Sequence, residues 1–282
     1  MSGLAAAVSG GAPCVRDFPY LAWRTLASRD GVELRESGEG EPLVFVPGMT
    51  GGGEATLELC VRAVEQAAAA RRYRVLLVDY TREEHVSLEA LRDTIEQLVR
   101  PAIRGERTVL WTESLGCLAA PPPQFDAAFD VRKRVMISAF GGVPQLALRL
   151  GLLAMALSPT AMYRRVMGPI GRWIFGPAGD RPDHVFFDAV ARTRPGVARR
   201  RSRWLKGRRF YELFEATAVP TKLWLGDTDR LVDIERERAF FGRLATERSG
   251  FELAVVEGGG HVVTDTARLA NMLAEVTSWV IS

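Results

Sequence analysis

Six short apolar runs, each closed by a turn-forming or polar residue, constrain this chain more than any other feature. They are "PLVFVPG", "YRVLLVDY", "TVLWTE", "RVMISAF", "TKLWLGD" and "FELAVVE". Around them lie segments whose apolar residues return with helical spacing: "TLELCVRAVEQAAAA", "SLEALRDTIEQLVRPAI", "IERERAFFGRL" and the closing "ARLANMLAEVTSWV". A strand that is apolar on both sides has to be covered on both sides. Alternating strands and helices achieve this with right-handed crossovers onto a mostly parallel sheet. The expected fold class is therefore α/β, a mostly parallel sheet with flanking helices. "LAWRTLAS" and "VELRESG" read as two more strands around a tight turn at Asp30-Gly31, and would add an antiparallel edge.

One region breaks the rhythm. Residues 141–218 read as helical throughout and contain Pro144, Pro159, Pro169, Pro177, Pro182 and Pro195. They hold fourteen Arg/Lys against five Asp/Glu, a net of +9 in a chain whose total is +3. The remainder thus carries −6, so the two regions are expected to meet different things. The region reads as a helical cap inserted between two sheet strands. The expected organisation is a flexible tail over 1–20, a core over 21–140 and 219–282, and the cap over 141–218.

The most apolar stretch, "LALRLGLLAMALSP", is interrupted by Arg149 and ends at Pro159, too short to cross a bilayer. The N-terminal "MSGLAAAVSGGAP" lacks the basic start and long apolar core of a secretory signal. Cys14, Cys60 and Cys117 are odd in number and far apart. That argues against a disulfide framework or a thiolate metal site and points to a reducing cytoplasm.

In an open parallel sheet, functional groups gather at the carboxyl ends of the strands. "TVLWTE" runs directly into Ser114-Leu115-Gly116. Thr112-Glu113-Ser114-Leu115-Gly116 is a small-x-Ser-x-small pattern, which lets a strained strand-to-helix turn press against its neighbours while lifting the serine. Alone, the pattern is weak, because a strand-end serine is ordinary. A serine hydroxyl also needs a base to take its proton. Of three histidines, His85 precedes the serine and His184 lies in the insert as a packing or surface residue, whereas His261 follows the last strand in "VVEGGGHVV". "TKLWLGDTDRLVD" offers an acid at the end of the preceding strand. Asp229 lies one turn past that end and is the first choice to orient the imidazole, with Asp227 in reserve. Gly-Asp-Thr-Asp is equally good turn chemistry. The developing oxyanion needs donors. The Leu115 amide starts the helix after the elbow, and the Met49 amide lies in the glycine-rich loop after "LVFVPG". That loop lacks the lysine of a phosphate-binding loop.

With these residues in view, the chain resembles the α/β-hydrolase superfamily from about residue 40 to its C-terminus. "PLVFVPGMTGGG" and "WTESLG" resemble a capped subgroup with a Pro-Gly-x-x-Gly oxyanion loop and a Glu-Ser-x-Gly elbow. That subgroup includes bacterial hydrolases and plant esterase/lipase/thioesterase-type phytyl ester synthases. The resemblance implies a triad of Ser114, Asp229 and His261, ester or thioester chemistry, and a cap that shapes the acyl pocket. Three features depart from the pattern: Thr112 for a smaller residue, Thr50 where Asp is common, and "APPP" at 120–123, which should cut short the helix after the elbow.

The expected activity is hydrolysis of a carboxylic ester or thioester with an apolar acyl chain, through an acyl-enzyme and without metal or cofactor. Transfer of the acyl group to an alcohol, carbon–carbon bond hydrolysis, and a non-catalytic binding protein on the same scaffold are the alternatives. "ARRRSRWLKGRRF" at 198–210 reads either as a solvated basic helix face or as a site for anionic groups. In the second case Arg199, Arg200, Arg201 and Arg203 would meet a phospholipid surface, coenzyme A phosphates or an acidic acyl-carrier protein. Nucleic acid ranks lower, since no nucleic-acid-binding motif accompanies the arginines.

Overall fold

The computed structural model describes residues 23–49, 51, 73–143, 195–261 and 266–281. The expected tail, the helix over "TLELCVRAVEQAAAA", His184 and most of the insert lie outside the described residues. Eight strands form one sheet: β1 (Arg24–Arg29), β2 (Val32–Ser37), β3 (Glu41–Val46), β4 (Tyr73–Asp79), β5 (Thr108–Glu113), β6 (Val131–Ile137), β7 (Thr221–Gly226) and β8 (Phe251–Val256). Their spatial order is β1-β2-β4-β3-β5-β6-β7-β8. β1 and β2 pair antiparallel, β2 joins β4 antiparallel, and every later pairing is parallel. The leading hairpin is thus the antiparallel edge that its turn predicted.

The strands are apolar on both sides because two cores use them. Val44, Val46, Leu76, Val78 and Leu110 face one cluster. Their chain neighbours Leu43, Phe45, Val75, Leu77, Val109 and Trp111 face the other. This is the two-residue alternation of a strand, with both sides buried. Helix α1 (Leu88–Ile103) packs Leu91, Ile95 and Val99 into the first cluster. The last described helix, Thr266–Ile281, brings Met272, Val276 and Val280 to the second.

Local chemistry sets the element ends. Ser87 caps α1, accepting the Ala90 N–H at 3.1 Å. After the elbow, α2 (Leu115–Ala119) stops where the prolines begin. Pro122 then opens α3 (Pro122–Ala128), at a position where a missing N–H costs nothing. β6 starts at Val131 rather than at Arg134, because Val131 is already paired with Thr108 across the polar Arg132-Lys133 step. It ends at Ile137 because Ser138 turns into the left-handed region at φ 52°.

The insert joins β6 to β7. Its described part holds α4 (Pro195–Leu205) and α5 (Tyr211–Glu215). Trp204, Leu205, Phe210 and Phe214 are buried in the first core cluster, so this end of the insert is anchored to the main body. Helix α6 (Ile234–Glu247) follows β7, and the last helix is α7 (Thr266–Ile281). No helix among the described residues is long and apolar enough to cross a membrane.

Candidate active site

Ser114 stands between β5 and α2 with φ 50° and ψ −117°. Non-glycine residues rarely hold such angles, which cost roughly 1–3 kcal/mol and need surrounding support. The turn is held by the Ser114 N–H donating to Ile137 O at 2.8 Å and the Cys117 N–H donating to Ser114 O at 3.0 Å. Gly116 makes it sterically feasible, since a Cβ there would run into the carbonyls of Val46 and Pro47. Thr112 fits because its Oγ1 donates to Val135 O at 3.2 Å, between β5 and β6.

The loops after β7 and β8 bring the other two groups to the serine. Ser114 Oγ lies 2.7 Å from His261 Nε2. His261 Nδ1 lies 2.6 Å from Asp229 Oδ2. Asp229 is fixed through Oδ1, which accepts the Leu231 N–H at 2.8 Å. All three side chains are buried or nearly so. Asp227, the reserve acid, does not take this place: its N–H donates to Val256 O at 3.2 Å, while the carboxylate against the imidazole is that of Asp229.

The histidine loop is seated by backbone contacts. Gly226 lies so close to the Gly259 and Gly260 carbonyls that any side chain would collide with them. Thr228 donates to Gly259 O from both its N–H and its hydroxyl, at 2.9 and 2.8 Å. Ser138 Oγ donates to His261 O at 2.6 Å. Ser138 escaped the sequence reading, and its only local signal was a serine at the end of an apolar run.

Burial alone would depress the His261 pKa, but the Asp229 carboxylate, its hydrogen bond and the field of Glu113 outweigh it and hold the imidazole above its ordinary value. Glu113 is buried directly before the serine. Burial pushes its carboxyl up, against the pull of His261 and a hydrogen bond from the Gly48 amide. Leu115 directly follows Ser114, and Met49 directly follows Gly48 in the loop after β3. The Leu115 N–H opens α2 and has no acceptor one turn back within the helix, while Gly48, next to Met49, lies against the Ser114 side chain.

The basic stretch needs a correction. Helical spacing turns Val197, Arg201, Trp204 and Leu205 inward. Arg201 is 0% exposed and its Nε donates to Glu83 at 2.9 Å, so it cannot meet an external anion. Arg199 and Arg200 are half-buried, and Arg200 donates to Glu83 O at 2.5 Å. Only Arg203 of the four is exposed. His85 is buried against Thr94, 2.8 Å from its hydroxyl. Among the described residues no group of three or more His, Cys, Asp or Glu side chains is placed to hold a metal ion.

Several solved structures share the fold. The chain is similar to an esterase, RhEst1, from Rhodococcus sp. ECU1013, with a TM-score of 0.68 and 18% identity over 93% of this chain and 99% of that one. It is similar to the carboxylesterase CesB from Bacillus subtilis, with a TM-score of 0.66 and 17% identity over 93% and 90%. It is also similar to the bottromycin epimerase BotH, with a TM-score of 0.64 and 19% identity over 91% and 98%. No match was found among curated proteins. A model of the alpha/beta hydrolase family matches residues 43–272, which include the strand-end serine, aspartate and histidine and the three parallel strands that lead to them, and the chain belongs to that family.

Proposed function

We propose that the protein is a serine hydrolase that cleaves a carboxylic ester or thioester with an apolar acyl chain through an acyl-enzyme. One observation carries this reading: the unbroken hydrogen-bonded chain from Ser114 through His261 to Asp229, at the carboxyl ends of three different strands. BotH shows why the fold alone does not suffice, since a hydrolase-like scaffold there bears an epimerase.

In the proposed reaction, Ser114 Oγ attacks the acyl carbonyl while its proton passes to His261 Nε2. Asp229 holds the Nδ1 tautomer and stabilises the imidazolium. The Leu115 and Met49 amides donate to the tetrahedral oxyanion. His261 returns the proton to the departing alcohol or thiol, leaving the acyl-serine. Water, deprotonated by His261, then releases the acid and restores the hydroxyl. The apolar preference is supported by Phe140, whose ring lies 6.2 Å from the imidazole, and by the apolar runs of the insert. The Pro-Gly and Glu-Ser signatures favour the capped subgroup, with 141–218 as the cap. A cytoplasmic location is supported by three cysteines that are odd in number and far apart in sequence, with Cys117 a free thiol. An acidic carrier or anionic lipid surface would meet the exposed Arg203, Lys206 and Arg209.

A fluorophosphonate probe tests the reading. The folded wild type should be labelled and Ser114→Ala should not. An unlabelled wild type would remove the catalytic reading. Acyl-product analysis with an alcohol present then separates hydrolysis from transfer, with free acid the expected product.

A further inference from the structure

The oxyanion donor proposed after β3 is a backbone group, and something must fix the direction of this Met49 N–H. In a planar trans peptide the N–H points away from the preceding carbonyl, so whatever holds Gly48 O aims Met49 N–H. Gly48 O accepts from Tyr80 Oη at 2.6 Å and from the Gly51 N–H at 3.0 Å. The Tyr80 hydroxyl also lies against Pro47 O, so its one proton is shared between two carbonyls of the same loop. Burial pushes the Tyr80 phenol up, which keeps it a donor throughout the working range.

Tyr80 is itself gripped. The Arg201 guanidinium lies 4.6 Å from its ring centroid. From there one Nη donates to Tyr80 O, the other donates to Met49 O, and Nε donates to Glu83 Oε1 at 2.9 Å. Glu83 balances the charge, and its other oxygen accepts the His85 N–H at 2.7 Å. The Tyr80 N–H closes the figure by donating to Gly51 O at 3.1 Å. A fully buried arginine is expensive to desolvate. Here two of its nitrogens are committed to the loop carbonyl at residue 49 and to the strand-end residue that clamps the loop. Arg201 belongs to α4, so the insert reaches the catalytic loop through it.

We infer that Tyr80 and Arg201 are positioning residues that set the Met49 amide for the oxyanion. This rests on the hydrolase reading above. Tyr80→Phe removes one oxygen and leaves the ring for Arg201. Arg201→Lys keeps the charge but cannot span the carbonyls of residues 49 and 80 and Glu83 at once. Both variants should lose roughly 10- to 100-fold in kcat with KM changed less than about threefold, as for a lost transition-state interaction. A trifluoromethyl ketone, whose adduct with the serine carries an oxyanion, should weaken by the same factor as kcat/KM.

Asp126→Asn is the control. It removes the negative charge of the buried pair with Arg134, mid-way along β6 and opposite the first residue of β7, and should lower Tm without changing kcat in the folded enzyme. Wild-type kcat and ketone affinity in folded Tyr80→Phe would overturn the inference, as would a loss confined to Tm. Tyr80→Phe decides alone if Arg201→Lys does not fold. Fluorophosphonate labelling of the wild type separates the two levels: labelling with an unimpaired Tyr80→Phe sinks only the positioning role, whereas no labelling sinks the hydrolase reading and this inference with it.

Discussion

His261 is where residue-scale electrostatics becomes measurable. Its raised pKa has a definite sign in the kinetics. The imidazole must be neutral to accept the serine proton, so activity is lost as pH falls through the pKa of the free enzyme. The acid limb of kcat/KM should therefore inflect above about pH 6.5, the ordinary histidine value. A pH–rate profile from pH 5 to 9 checks this, and an inflection below 6.5 would contradict the proposed environment. Ser114, Asp229 and His261 were legible in the sequence because each follows an apolar run and so sits at a strand end. Tyr80, Glu113, Ser138 and Arg201 were not. Their parts depend on contacts with distant backbone, such as Met49 O against Arg201 or His261 O against Ser138, and no periodicity encodes those.

At the scale of elements, two positions test how local structure supports the site. Ser87 caps α1 through the Ala90 amide. Ser87→Ala should destabilise the protein by about 1 kcal/mol, read in urea denaturation, with kcat unchanged because the Ser87 hydroxyl is bonded to the Ala90 amide and none of the hydrogen bonds joining Ser114, His261 and Asp229 runs through α1. Gly226 closes β7 where the histidine loop lies against it. Gly226→Ala should push the Gly259-Gly260 backbone and His261 with it. Misplacement on the ångström scale costs about 100-fold in rate. Circular dichroism should show a folded variant and a kinetic assay a much reduced kcat. The element boundaries were mostly readable, since capping and proline chemistry act within a few residues. β6 was the exception: a long-range pairing of Val131 with Thr108 extended it through a polar step.

For the whole molecule, the charge asymmetry between core and insert is real in the sequence but is distributed differently in space. Part of the insert's positive charge turns inward at Arg201, and Arg208 pairs with Glu89 at 2.6 Å. Neutralising Arg203, Lys206 and Arg209, which are exposed, should change stability by no more than about 0.5 kcal/mol. If these cations receive an anionic carrier or headgroup, the triple variant should lose activity uniformly across acyl chain lengths, in a panel of esters and thioesters. Unchanged rates across the panel would mark them as a solvated face. The sequence by itself determined the α/β class, the antiparallel edge, and the order of serine, acid and histidine, because strand and helix periods and turn residues are local properties of the chain. Only the tertiary structure decided that β4 lies between β2 and β3, that Ser138 holds the His261 carbonyl, and that an arginine from the basic insert is buried behind the Met49 backbone. Each of these depends on which distant backbone groups a side chain reaches once the sheet has assembled, and the burial that results decides whether a charge faces solvent or a partner.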